Sequence, residues 1–222
     1  MKKTLKFAVV LSGCGVYDGA EIHEATLCLY AISRNGYSYQ CFAPDIPQHH
    51  VINHLTGEVM EEQRNVLVES ARIARGNIKP LHEFDPSHYD ALLFPGGFGA
   101  AKNLSDWAFK GSNARINPET ERSIKAMAAA RKPIGAMCIS PVLIAKVLGD
   151  VEITVGDDKA TVQGLLKTGA SHVNSGHGEV VTDHRNLIVT TPCYMLNATI
   201  AQVGLGAENL VKAIAGLTGR GA

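Results

Sequence analysis

The stretch Pro133-Ile-Gly-Ala-Met-Cys138-Ile-Ser140-Pro141 constrains the fold more than any other in this chain. It reads as a short apolar strand that turns at once into a helix, with one thiol at the turn. Strand and helix backbones pass close together in such an elbow, so small residues are needed two positions either side of the nucleophile, and Ala136 and Ser140 stand there. Pro141 suits a first helical turn, where a missing N–H costs nothing, and Ser140 reads as the N-cap. Cys138 then faces the positive end of a helix dipole, which predicts a stabilised thiolate and a lowered pKa.

Similar punctuation recurs upstream. Phe7 to Leu11 is an apolar run closed by Ser12-Gly-Cys-Gly15, the pattern of a strand buried on both faces. Ile22, Ala25, Leu29 and Ile32 follow at helical spacing, Asn35-Gly36 supplies the stop, and Tyr37 to Ala43 is a second strand, completing a βαβ unit. Residues 46 to 80 read as an insertion or lid with a helical pattern through Val66, Ala71 and Ala74. Ala91 to Phe94 is a third buried strand running into Pro95-Gly-Gly-Phe-Gly99. A helix is expected over Pro118 to Arg131, and further strands over Val151–Val155, Glu179–Thr182 and Leu187–Thr190, the last two joined by a turn. A final amphipathic helix runs from about Leu196, with a second segment at Leu210 to Leu217.

Alternating strands and helices predict an α/β protein with a doubly wound, mostly parallel sheet, whose ligand site lies at the carboxyl ends of the strands. Gly13-Cys-Gly15, Gly96-Gly97 and Cys138 all fall there. With 222 residues and no linker or composition shift, one domain over 1–222 is expected.

Charge and cysteine usage narrow the function. The formal net charge is zero, from 21 basic and 21 acidic residues without like-charged runs, so neither nucleic acid nor an anionic membrane is an expected partner. Five cysteines without a C-x-x-C pair suit a reducing cytoplasm. Met1 to Cys14 has the outline of a lipoprotein leader, but the run Phe7–Leu11 is shorter than the roughly 7 to 15 apolar residues a leader needs, and it reads as the first strand. Gly13-x-Gly15-x-x-x-Gly19, with Asp45 after the second strand, partly matches a dinucleotide fingerprint, yet Asp18, Glu21 and Glu24 would set negative charge against a phosphate. His49, His50 and His54 lack a cysteine or carboxylate to complete a ligand set, so no metal is expected. His172, His177 and His184 lie in polar, turn-rich sequence, so no catalytic role is expected of them.

Ser12 to Glu24, Asn53-His-Leu-Thr-Gly-Glu58, Pro95 to Asn103, and Met137-Cys-Ile-Ser-Pro141 together closely resemble the ElbB proteins of the ThiJ/PfpI superfamily, and the likeness runs from the first strand to Leu196. The resemblance implies a flavodoxin-like fold of class I glutamine amidotransferase type. It also implies a nucleophilic Cys138 with a glutamate from the first helix aimed at its sulfur: Glu24, with Glu21 as the alternative one turn earlier. Backbone N–H groups of Gly97 and Ile139 would hold an oxyanion, with Gly96 and Asn103 lining the substrate site. The implied activity is that of a glyoxalase III-like lyase converting glyoxal, a small dicarbonyl, to glycolate without glutathione, metal or other cofactor. A homodimer and a link to isoprenoid biosynthesis come with it.

The departures matter too. Residue 139 is Ile where related proteases and glyoxalases tend to carry a histidine at or near that place, and Thr190-Thr-Pro-Cys193 offers neither the His nor the acid of an amidotransferase. The rival reading is a thiol redox sensor or a regulatory or binding protein, with Cys14 or Cys193 as a resolving partner for Cys138.

Overall fold

The structure, a computed structural model, describes residues 4–219; the first three residues of the leader-like stretch lie outside them. Among the described residues nine strands form: β1 (Lys6–Val10), β2 (Ser38–Ala43), β3 (Ile78–Pro80), β4 (Ala91–Phe94), β5 (Ile134–Met137), β6 (Glu152–Ile153), β7 (Ser171–His172), β8 (Val181–Asp183) and β9 (Ile188–Thr191). The main sheet runs β3-β2-β1-β4-β5-β9-β8, parallel throughout except for β8, which pairs antiparallel with β9. β6 and β7 form a small parallel pair of their own. This is the α/β, mostly parallel architecture that the alternating pattern predicts.

Eight α-helices among the described residues accompany them: α1 (Ile22–Arg34), α2 (Val66–Ile73), α3 (Phe98–Lys102), α4 (Trp107–Lys110), α5 (Pro118–Ala129), α6 (Pro141–Leu148), α7 (Lys159–Leu166) and α8 (Ile200–Leu217). The period of two in the central strands divides the core. Phe7, Val9, Leu93 and Val189 pack with Ala25, Cys28 and Ile32 of α1 and Leu210 and Ile214 of α8. Ala8, Val10, Leu92, Phe94 and Ile134 pack with Ile124 and Met127 of α5 and Leu143 and Ile144 of α6. Both faces being covered, β1 is apolar at every position after Lys6.

Three expectations change. The C-terminal region is one unbroken helix rather than two segments, started by a capping box in which Thr199 and Gln202 exchange hydrogen bonds; it begins only at Ile200 because Cys193–Met195 forms a separate short turn. Helix α7 has no counterpart in the sequence reading, since its short pattern follows a polar, charged run. Residues 46–65 make a strap folded back on itself through bridges Pro47–Asn65 and Ile52–Val59. It is fastened over the β1–α1 loop: the Ile52 N–H donates to Asp18 Oδ2 (2.7 Å) and the His49 N–H to Asn103 Oδ1 (2.9 Å).

Candidate active site

Cys138 terminates β5 at the centre of the sheet's carboxyl edge. Its φ is +60°, a left-handed conformation that costs a non-glycine residue free energy and that the packed strand and helix on either side enforce. The Cys138 N–H donates to the Thr191 carbonyl (3.0 Å), so the strained residue remains tied to β9. Pro141 occupies the first helical turn as the pattern requires. Ser140, expected to cap α6, does not: its backbone is already helical, and its hydroxyl instead donates to the Pro95 carbonyl (2.6 Å). The serine thus binds the elbow to the glycine loop after β4.

That loop lies close against Cys138. A methyl group on Gly96 would fall 2.3 Å from Glu24 Oε2 and 2.4 Å from Cys138 Cβ, so only glycine lets carboxyl and cysteine meet across this backbone. Gly97 has φ +100°, and its N–H, with that of Ile139, reaches the sulfur and favours the charged form.

Glu24 rather than Glu21 reaches the cysteine, and the division between them is local chemistry. Glu21 is the N-cap of α1: its Oε2 accepts the Glu24 N–H (2.7 Å). Glu24, three residues on, points inward and is wholly buried, not an exposed first-turn glutamate. Its Oε1 accepts the Tyr194 N–H (3.1 Å), while Oε2 lies buried against Gly96 and Cys138. Burial is the main cause that raises the Glu24 pKa to about 8, with the nearby Glu21 adding to it; the Tyr194 N–H, the Cys138 thiol and the Gly96 N–H oppose the rise.

The lowered thiol pKa predicted from the helix dipole is overturned. Burial pushes the Cys138 thiol well above its ordinary value, Glu24 adds to the rise, and the Gly97 and Ile139 N–H groups only partly offset it. Cys138 is 8% exposed, and the low-dielectric surroundings outweigh two peptide dipoles. At neutral pH both partners carry their protons.

A cavity of about 390 Å3 opens onto Cys138, lined by Val16, Gly97, Phe98, Ile139, Asp158, Thr161, Tyr194 and Met195. Its walls are largely apolar. Asp158 is the N-cap of α7, and hydrogen bonds from the Thr161 hydroxyl first and from its N–H (2.8 Å) second hold its carboxyl below the ordinary range. Asn103, expected at the substrate site, stands outside this lining. Its Nδ2 donates to the carbonyls of Ser12 (2.8 Å) and Asp18 (2.9 Å) and its Oδ1 accepts from His49, so the amide is consumed in bracing loops. The residues read as a lid do not line the cavity either.

Tyr194 escaped the sequence reading, as did His23. The Tyr194 hydroxyl and His23 Nδ1 are 2.8 Å apart, joining the turn after β9 to α1 beside Glu24. The signal available was the closing Pro-Cys-Tyr-Met at a strand's carboxyl end. Among the described residues no histidine lines the cavity. His49 tilts against Phe109, His50 meets the same ring edge-on, and His54 tilts against Tyr17. Among the described residues no group of three or more His, Cys, Asp or Glu is placed to hold a metal ion. The loop that partly matched a dinucleotide fingerprint satisfies its own N–H groups: Gly13 donates to Ser70 Oγ, Gly15 to Ala20 and Gly19 to Gly15. Among the described residues no helix is long and apolar enough to cross a membrane.

No protein-family model matches the chain. Its sequence is similar to the rat ES1 protein homolog, mitochondrial, with 47% identity over 97% of this chain and 85% of the relative. The human glutamine amidotransferase-like class 1 domain-containing protein 3, mitochondrial, is 47% identical over 97% of this chain and 84% of its own length. Among solved structures, an isoprenoid biosynthesis protein with amidotransferase-like domain from Ehrlichia chaffeensis superposes with a TM-score of 0.89 at 37% identity, covering 96% of this chain and 99% of the other. A ThiJ/PfpI domain protein from Brachyspira murdochii shares the fold, with a TM-score of 0.60 at 19% identity over 99% of each chain. With its mostly parallel sheet and central cysteine elbow, the chain belongs to the family of ES1 and glutamine amidotransferase-like class 1 domain-containing proteins.

Proposed function

We propose that the chain is an ElbB-type glyoxalase, converting glyoxal or a close dicarbonyl to the hydroxy acid through Cys138 and Glu24. The observation that carries this reading is the pairing itself: a buried carboxyl with its pKa near 8 and a buried thiol brought together across Gly96, with two N–H groups aimed at the sulfur.

The chemistry needs little else. In the fraction of molecules whose Glu24 has lost its proton, the carboxylate takes the thiol proton while sulfur attacks one aldehyde carbon, and the N–H groups of Gly97 and Ile139 meet the oxygen as it gains charge. Protonation gives a hemithioacetal. Glu24 then removes the hydrogen from the carbon bearing sulfur and returns a proton to the neighbouring carbon through an enediol, leaving a glycolyl thioester. Water cleaves the thioester, releasing glycolate and restoring the thiol. One carbon is oxidised and its neighbour reduced, so no external electron acceptor enters. A carboxyl titrating near 8 is suited to both halves of this transfer, being able to hold or release a proton near neutrality.

A peroxide sensor would ask for a standing thiolate. Burial and Glu24 push both Cys138 and Cys193 upward, which favours a site that ionises its sulfur only with substrate bound. Location and assembly belong to the same proposal: a cytoplasmic or mitochondrial compartment that keeps thiols reduced, and a homodimer, which light scattering tests. The deciding experiment is glycolate production from glyoxal by wild type and Cys138→Ser without glutathione or added metal. Turnover proportional to enzyme and absent in the variant is expected; equal production by the two would overturn the reading.

A further inference from the structure

The turn Cys193–Met195 supplies a hydrogen bond to Glu24 Oε1, from the Tyr194 N–H at 3.1 Å. The turn is itself under tension, with Cys193 at φ +42°. From the same residue, the Tyr194 side chain lies along the cavity wall and meets His23 of α1, the neighbour of Glu24 in sequence. One tyrosine therefore grips α1 twice, through its backbone on the carboxyl and through its hydroxyl on the adjacent imidazole.

We propose that Tyr194 is a positioning residue, latched by His23, that holds the Glu24 carboxyl in place against Cys138. The inference rests on the Cys138–Glu24 reading above and extends it to two residues outside the reacting pair. The Tyr194 N–H stabilises the carboxylate, so a turn released from His23 presents that donor less consistently and raises the pKa of Glu24 further. The titratable groups that face Tyr194 and Glu24 are Glu21, His23 and Cys28 on α1, Cys193 in the turn and Cys138 on the elbow. His23 is the one that a test substitution removes, and Tyr194→Phe probes the latch with all of them in place.

Tyr194→Phe deletes the hydroxyl and keeps the ring and the N–H; His23→Ala deletes the other partner; His23→Asn returns a polar group near the Nδ1 position. Each deletion is expected to lower kcat on glyoxal about tenfold with KM within about twofold, the double variant being no worse than either single, and His23→Asn recovering most of the loss. A second readout does not require turnover: the pH profile of Cys138 alkylation by iodoacetamide, followed by mass spectrometry of its peptide. In wild type the rate should stop climbing near pH 8, where Glu24 gains its charge and holds back the thiol, and Glu24→Gln should remove that break. In Tyr194→Phe and His23→Ala the break should move upward, making alkylation about threefold faster at pH 9 although catalysis is slower.

A latch that merely supports the fold would depress both rates together, and that result overturns the proposal, as does an unmoved break or additive loss in the double variant. If wild type makes no glycolate, the glyoxalase reading fails while the shift of the alkylation break still decides the latch.

Discussion

Cys138 and Cys14 both follow central parallel strands at the carboxyl edge of the sheet, and their surroundings differ. Cys138 has a left-handed backbone, two N–H groups at its sulfur and a protonatable carboxyl beside it. Cys14 is half-buried in the glycine loop beneath the strap, near Glu69, which is already paired with Arg72 at 2.8 Å and Arg64 at 3.5 Å. Burial first and Glu69 second raise its pKa, and Arg72 and Arg64 only partly offset them. A strand's end supplies position. Chemistry requires donors that converge on the sulfur and a group that can take its proton.

The sharpest test of that contrast is to remove each sulfur. Cys138→Ala should abolish glyoxal turnover while the melting temperature stays within a few degrees, whereas Cys14→Ala should retain activity within about twofold. Loss of activity in both would place Cys14 in the site. Next in size is Gly96→Ala, whose methyl group has no room between Glu24 and Cys138; turnover is expected to fall on the order of a hundredfold, with a measurable loss of stability. Glu24→Gln should lower kcat by about 100-fold or more, the scale of general acid–base catalysis, with the fold retained by circular dichroism. Glu21→Gln should mainly weaken the α1 cap, costing about 1 kcal/mol or less in chemical denaturation.

The smallest effect is in stability against pH. Folding raises the Glu24 pKa from its ordinary 4.5 to about 8, so between those values the folded chain binds more protons than the unfolded one. The contribution favours the fold at low pH and is lost as pH climbs through that window. Glu24→Gln cannot titrate, and its melting temperature should therefore gain on wild type between pH 5 and pH 8. A parallel decline would show that Glu24 is not the buried acid.

Much of this was legible from residues. The elbow was marked by Ala136, Ser140 and Pro141 around one cysteine, the sheet by apolar runs that end in glycine, and Glu24 by the family resemblance, which left Glu21 open. What could not be read was where side chains spend their hydrogen bonds. Ser140 and Asn103 have the right types for a cap and a pocket wall, yet carbonyls from distant loops, Pro95, Ser12 and Asp18, claim them. The thiol pKa went the same way: local pattern showed a helix start, while the desolvation that dominates it comes from the whole core. Tyr194 depended on a meeting of residues 170 positions apart.

The complete burial of Glu24 has an isotopic consequence. A hydrogen lifted from carbon by a carboxyl that bulk water does not touch can be handed to the next carbon before it exchanges. Glycolate formed in deuterium oxide would then keep much of its original protium at carbon, and the fraction retained would measure how long the carboxyl holds a hydrogen apart from solvent.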